Sequence, residues 1–369
     1  MRSERCVFLC WLLALPMCLG SEMRVFFGTY TRNTGAEGIY SAVLDTETGT
    51  LSEPQLAAKA QNPTYLAFHP SGRVLYAVGE TAEGPALRSF HVEGNVLRPA
   101  VSQPIGGAGP CHLAVDPSGR LLATANYSGG SVSIFPLDGE GTPGPEAALF
   151  VHQGSGPDSA RQEKPHAHGI EFSPDGRIMY AADLGTDEIR IYRVQDGSVV
   201  PSEPPAVAAA PGAGPRHLVV APGGRHLHVV NELNNTLATY LIEGANLLAT
   251  DTQPLLPARF EGFSKAAAIA ITPDGRFVFA SNRGYDSIAQ FRRDAETGGL
   301  TPAGHVETGA REPRGMGLSP CGRWLLVGHH YAGGVQVYRV DVESGTLEAT
   351  GDTAPIHSPV CVVFPPQRP

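Results

Sequence analysis

A chain of 369 residues, 42% of them apolar, can bury a large core, and its 44 glycines and 32 prolines favour many short elements joined by tight turns. No long stretch repeats apolar residues at helical spacing, which argues against a helical architecture. A net charge of -9 with no Lys/Arg cluster excludes nucleic acid as a natural partner and disfavours anionic membranes.

The first element is a leader. Arg2 and Arg5 precede an apolar run from Cys6 to Leu19, and Cys18 and Gly20 are small residues at the -3 and -1 positions of a cleavage site. The pattern predicts a secretory signal peptide over residues 1–20, export to the periplasm or outside the cell, and one domain over residues 21–369. The run is too short to span a bilayer comfortably. The competing reading starts at Met23, which opens "MRVFFGTYT" and leaves the protein cytoplasmic. Three of the six cysteines lie in the leader. Cys111, Cys321 and Cys361 are odd in number and at no metal-like spacing, so no disulfide framework is implied. Cys361 reads as a core residue.

From residue 65 onward one phrase recurs six times: "HPSGRVLYAVGE", "DPSGRLLATANY", "SPDGRIMYAADLG", "APGGRHLHVVNE", "TPDGRFVFASNR" and "SPCGRWLLVGHH". Its anchor prolines are Pro70, Pro117, Pro174, Pro222, Pro273 and Pro320, spaced by 47, 57, 48, 51 and 47 residues. A short apolar strand precedes each anchor and another follows it. The Pro-x-Gly-Arg between them is hairpin chemistry, with Gly supplying a positive φ. Such a hairpin is the inner half of a propeller blade. A seventh anchor, Pro365 in "SPVCVVFPP", ends the chain after one strand, and the N-terminus supplies "RVFFGTYT", "GIYSAVLD" and a strand near "LSEPQLAAKA". The expected fold is all-β: a seven-bladed β-propeller whose last blade joins one C-terminal to three N-terminal strands, leaving no open edge.

Counting from each anchor places side chains. Position +9 holds Gly79, Asn126, Asp183, Asn231, Asn282 and His329; the recurring Asn/Asp is read as a structural group bonding the turn. Position +10 holds Glu80, Tyr127, Leu184, Glu232, Arg283 and His330, and position -6 holds Thr64, Cys111, His168, Arg216, Ala267 and Arg314. These two sets vary while the frame does not, as a binding site for an asymmetric ligand at the channel mouth requires. Seven histidines are placed on this rim: His112, His166, His168, His217, His329, His330 and His357. The structural alternative is that the rim charges pair with one another and stiffen the ring. The long second interval places a polar loop, residues 152–165, over the mouth as a lid, with Arg161 and Gln162 as ligand contacts.

No G-x-S-x-G, H-E-x-x-H, Walker loop or C-x-x-C occurs. His166 and His168 have strand spacing for two ligands on one side, a weak metal signal. Cys111 and His112, as strand neighbours, point to opposite faces and make a poor nucleophile pair. No metal and no cofactor is expected, and the sequence carries no signal of oligomeric state.

The phrases "NPTYLAFHPSGRVLYAV", "GPCHLAVDPSG", "RQEKPHAHGIEFSPDGR", "GPRHLVVAPGGR", "VNELNNTLATY" and "SNRGYDSIAQF" resemble the propeller lactonase family, from about Arg24 to Phe364. That family includes the bacterial propeller-type 6-phosphogluconolactonase and the fungal carboxy-cis,cis-muconate cycloisomerase. The resemblance implies a catalytic set of His168 in "PHAH", Arg216 in "GPRH", Glu232 in "NEL" and Arg283 in "SNRG"; the anchor count selects the same four. His166, His217, Arg314, His330, Glu80 and Arg161 are the expected substrate contacts. The chain departs from its relatives at Ala268, where a Glu is common, and in the sixth blade, with Gly315, His329 and His330.

Three functions follow. A lactonase opens a sugar-derived lactone to the aldonic acid, with His168 as base, Glu232 orienting or replacing it, and Arg216 and Arg283 on the carbonyl oxygen and any carboxylate or phosphate. A cycloisomerase moves a proton beside a carbonyl on an unsaturated diacid with the same residues. A non-catalytic exported propeller binds a glycan or protein, the reading that the altered sixth blade favours. A phosphorylated sugar lactone is a cytosolic metabolite, so export implies another substrate.

Overall fold

The structure is a computed structural model that describes residues 21–331 and 334–367. The predicted signal peptide lies outside the described residues. Seven four-stranded antiparallel sheets account for every strand described. Blades one to six span residues 65–104, 110–151, 167–208, 215–254, 265–307 and 313–354 in simple up-and-down order. Blade seven is ordered Pro359–Val363, Glu22–Thr29, Gly38–Asp45, Gln55–Lys59. Its register sets Phe26 opposite Val363 and Phe27 opposite Val362, so the chain ends close the ring as predicted.

Each blade's first strand packs on the first strand of the next, around to the strand Pro359–Val363, which touches both blade six and blade one. The core is therefore divided among seams. Seven apolar clusters form, one between each pair of adjacent blades. At the closing seam Trp324 of blade six is fully buried and donates Nε1–H to Thr46 O of blade seven at 3.0 Å. Gly49, at φ 81°, lies against that ring with no room for a Cβ.

The repeated phrase forms the predicted hairpin. Its glycines Gly72, Gly119, Gly176, Gly224, Gly275 and Gly322 have φ of 69°, 70°, 69°, 72°, 72° and 72°. At the opposite end the +9 side chains bond the turn: Asn126 Nδ2 donates to Ser131 Oγ and Ser133 Oγ, Asn231 to Thr236 Oγ1 and Asn282 to Ser287 Oγ. Asp183 Oδ1 accepts from the backbone N–H of His166, Gly185 and Thr186.

One irregularity positions the site. In blades two, three, four and six the inner strand bulges where the register passes from Pro110 to His112, Ala167 to Gly169, Pro215 to His217 and Pro313 to Gly315. The residue left out of the ladder is Cys111, His168, Arg216 or Arg314, the -6 position each time. In blade five a two-residue shift skips Ala267 and Ala268. A bulge frees one side chain from the pleat and re-aims it. The fold thus delivers one unpaired residue from each of blades two, three, four and six toward the channel mouth, while blade one pairs without a shift.

Candidate active site

On the face opposite the hairpins a cavity of about 570 Å3 opens over the channel. Its wall takes Cys111, His168 and Arg314 from the bulges, Thr64 from the same -6 position just ahead of the blade-one strand, and Glu80, Tyr127, Glu232, Arg283 and His330 from the +10 positions. Arg161 joins from the loop after blade two. A smaller recess of about 20 Å3, lined by Tyr30, Thr64, Tyr65, Cys111, Arg216, His217, Arg314 and Val360, lies next to the cavity and shares Tyr30, Thr64, Cys111 and Arg314 with it.

Glu232 organises the wall. Its Oε2 accepts from Arg216 Nε at 3.0 Å and lies 2.8 Å from Arg283 Nη2; its Oε1 accepts from Arg161 Nη2 at 2.6 Å. Glu232 is 3% exposed, so burial works against its charge, yet Arg283, Arg216 and Arg161 overcome that and hold the carboxyl well below the usual carboxylate range. It stays ionised and cannot act as a base near neutral pH. Burial, Arg283 and Arg314 pull Arg216 down to about 9, so it remains a cation. Among the described residues Arg314 has no carboxylate within ion-pair distance: its Nη2 donates to Tyr30 OH at 3.2 Å and its guanidinium lies 5.7 Å from the centre of the Tyr30 ring.

His168 sits among these groups. Its Nδ1 is 3.6 Å from Cys111 Sγ, and its ring meets Tyr127 edge-on with centroids 5.3 Å apart. Burial, with Arg216 beside it, keeps its pKa well below the ordinary value, so the ring is neutral. Burial also pushes the Cys111 thiol up to about 12. The sulfur therefore approaches His168 rather than His112, and as a thiol it is no nucleophile at neutral pH.

Several expected contacts lie elsewhere. His166 precedes the blade-three strand, stacks on Tyr127 at 4.3 Å, and bonds Tyr127 O and Glu163 outside the cavity. It does not converge with His168, and no group of three His, Cys, Asp or Glu capable of holding a metal forms among the described residues. His217 and His112 resume the ladder after their bulges and turn inward beneath the cavity floor. His329 is buried in its strand and His357 is exposed away from the cavity. Gln162 is fully buried, donating to Leu184 O and Asp187 Oδ1 while its own carbonyl and side chain anchor Gly156 and Asp158. It holds the 152–165 loop in shape and touches no ligand space, whereas Arg161 beside it reaches the cavity. Arg314, His330 and Glu80 line the wall as expected, although Glu80 Oε1 is committed to Gly109 N at 2.6 Å.

The anchor count missed Tyr30, Arg32, Asn62 and Lys265. For Tyr30 a signal existed: carried across the chain ends, the count puts Thr29 at the turn position of blade seven and Tyr30 next, as Asn126 and Tyr127 stand in blade two. Asn62 comes from the loop before the blade-one strand, and Lys265 opens the blade-five strand opposite Arg283, ahead of its register shift, so neither stands at a position that the count compared.

The family described as Lactonase, 7-bladed beta-propeller matches residues 24–364. A 6-phosphogluconolactonase of Bacillus subtilis is 37% identical over 344 residues, covering 92% of this chain and 97% of the relative. One from Formosa agariphila is 31% identical over 88% of this chain and 94% of its own length. Among solved structures, the periplasmic gluconolactonase of Pseudomonas aeruginosa superposes with a TM-score of 0.88 at 30% identity, covering 93% of this chain and 99% of that one.

The buried histidines make stability depend on acid. Burial, with Arg216 near, lowers His112 to about 3 and holds His168 and His217 far below normal; burial and Arg293 lower His228 to about 3. An unfolded chain takes up these protons near pH 6.5 while the folded one refuses them, so stability is lost as pH falls below that value, by about 1.4 kcal/mol per pH unit for each group. Glu171, raised by burial to about 8, opposes this with a single group. Melting temperature should fall steadily from pH 6.5 to 4.5; a flat profile would show that these rings are not held neutral.

Proposed function

The chain belongs to the seven-bladed β-propeller lactonase family, and on that premise we propose that its cavity hydrolyses a sugar-derived lactone to the aldonic acid. The observation that carries the reading is the meeting of a neutral His168 with an excess of cations. Arg32, Arg161, Lys265, Arg283 and Arg314 line the cavity against Glu80 and Glu232, with Arg216 beneath. Such a surface fits a substrate that develops negative charge and leaves as a carboxylate.

In this reading His168 Nε2 takes a proton from water as the water oxygen bonds to the lactone carbonyl carbon. The carbonyl π pair moves to oxygen, and Arg216 and Arg314 hold that oxyanion. Collapse breaks the ring C–O bond, and the departing alkoxide takes the proton back from His168. The protein supplies the electrostatics before the reaction starts, since Glu232 fixes Arg216 and Arg283 in place. Arg283 and Arg161 are left for polar or anionic substituents of the sugar. A substrate anion near Arg314 and Arg216 would also raise the basicity of His168, which those cations depress in the free protein. The named relatives that match most of the chain are lactonases, which favours hydrolysis over cycloisomerisation. We also propose export by the leader. The gluconolactonase of Pseudomonas aeruginosa, similar over nearly the whole chain, is periplasmic.

Residues 21–369 should open at least one member of a panel of neutral, carboxylated and phosphorylated aldonolactones, faster where the sugar carries a negative charge; no turnover across the panel would contradict the reading. Arg216→Lys keeps the charge but loses the planar fork, and should lower turnover by roughly 10²–10³ with little change in melting temperature. Wild-type turnover in that variant would remove Arg216 from the chemistry. For localisation, N-terminal sequencing should find the mature protein starting near Ser21 in an exported fraction; a cytosolic product starting at Met23 would overturn export.

A further inference from the structure

Beneath the cavity the channel is closed by aromatic rings. Tyr65 from blade one, His112 from blade two and His217 from blade four meet with centroids 3.9 Å apart (Tyr65–His112), 4.9 Å (His112–His217) and 5.8 Å (Tyr65–His217). Rings from three blades that are not all neighbours can touch only near the axis, so they plug the channel.

Hydrogen bonding assigns the state of two of them. The backbone N–H of Ile170 can only donate, and it meets His112 Nδ1 at 3.3 Å. A guanidinium can only donate, and Arg216 Nη1 lies 3.0 Å from His217 Nε2. Both imidazoles must therefore present a lone pair at those atoms and be neutral. For His217, burial and the adjacent Arg216 act in the same direction.

The consequence falls on Arg216. Its Nε is held by Glu232 and its Nη1 by Ala267 O at 2.6 Å and by His217. Nη2 has no hydrogen-bond partner among the described residues, and the guanidinium borders the 20 Å3 recess. That volume suits one oxygen-sized group. Ala267 O and Glu232 alone would leave the guanidinium free to tilt, and the His217 acceptor removes that freedom.

We infer that His217 is a positioning residue. As a neutral acceptor braced by Tyr65 and His112, it aims Arg216 Nη2 at the recess, where the substrate carbonyl oxygen seats. This rests on the reading of Arg216 as the oxyanion donor. A ring that only fills the channel would be replaceable by any ring of its size, whereas a positioning acceptor is not.

The test compares His217→Phe, which keeps the ring and loses the acceptor, with His217→Gln, whose side-chain oxygen can accept from Nη1. His217→Phe should fold and lose about 10- to 100-fold in kcat with little change in KM. His217→Gln should recover most of that loss. In an Arg216→Lys background, adding His217→Phe should cost less than about 2-fold more, because a residue acting through Arg216 has nothing left to position. Wild-type kcat in His217→Phe, beside a damaged Arg216→Lys, would overturn the positioning role alone. So would a full further loss in the double variant. Wild-type turnover in Arg216→Lys would instead sink the oxyanion role, and the positioning role with it. Circular dichroism melts of each variant separate a folding defect from a catalytic one; if His217→Phe does not fold, His217→Gln against His217→Asn, whose shorter amide cannot reach Nη1, reads the same difference.

Discussion

Glu232 accepts from three guanidiniums while almost sealed from water, and the upper face of the protein is arranged around that carboxylate. A buried carboxylate is costly unless its oxygens are satisfied, and three buried or half-buried guanidiniums in one pocket repel one another unless a negative charge lies between them. Each side needs the other. Arg216 comes from the bulge of blade four, Arg283 from the end of a blade-five strand and Arg161 from the loop entering blade three. One carboxylate thereby fixes the relative position of three neighbouring parts of the ring. The arrangement also leaves Arg314 outside the ion-paired group: among the described residues its side chain bonds Tyr30, and Glu232 and Glu312 act on it only from a distance.

The ring supplies the second constraint. Every blade needs a strand that packs on both neighbours, so the frame is nearly identical seven times over. The irregularity in the inner strands of blades two to six lets that frame carry different chemistry from copy to copy without disturbing the seams. In blade three it presents an imidazole, in blade four a guanidinium, in blade two a thiol and in blade five two small alanines. The small side chains at Ala267 and Ala268 matter to Arg216, whose Nη1 reaches the carbonyl of Ala267. In blades two and four the residue following the bulge turns to the axis, where His112 and His217 join Tyr65 to close the floor.

The hairpin phrase made the architecture legible, because Pro-x-Gly-Arg with flanking apolar strands has one local solution and its spacing admits only a ring of blades. The split seventh blade followed from the lone strand at Pro365. The site was legible wherever side chains sit at a fixed distance from the anchor: His168, Glu232, Arg283, Arg314 and His330 line the cavity and Arg216 the recess beside it. It failed where local geometry breaks the strand period. His217 and His166 looked like neighbours of site residues, but a bulge turns one to the axis and the other sits outside the strand against Tyr127. Gln162 looked like a contact because its loop is polar, yet the loop closes on its own Gln162. Tyr30 was invisible until the count was carried from one end of the chain to the other.

Lactone hydrolysis by Glu232→Gln tests most directly whether this carboxylate organises the site. Glutamine keeps the shape and removes the charge that holds Arg216, Arg283 and Arg161 together, at a cost of about 3–5 kcal/mol for breaking a buried pair. The account predicts a folded protein with a lowered melting temperature whose turnover falls by at least about 10²-fold at every pH tested, because Glu232 never takes up a proton in the working range. Turnover equal to that of the native chain would contradict it.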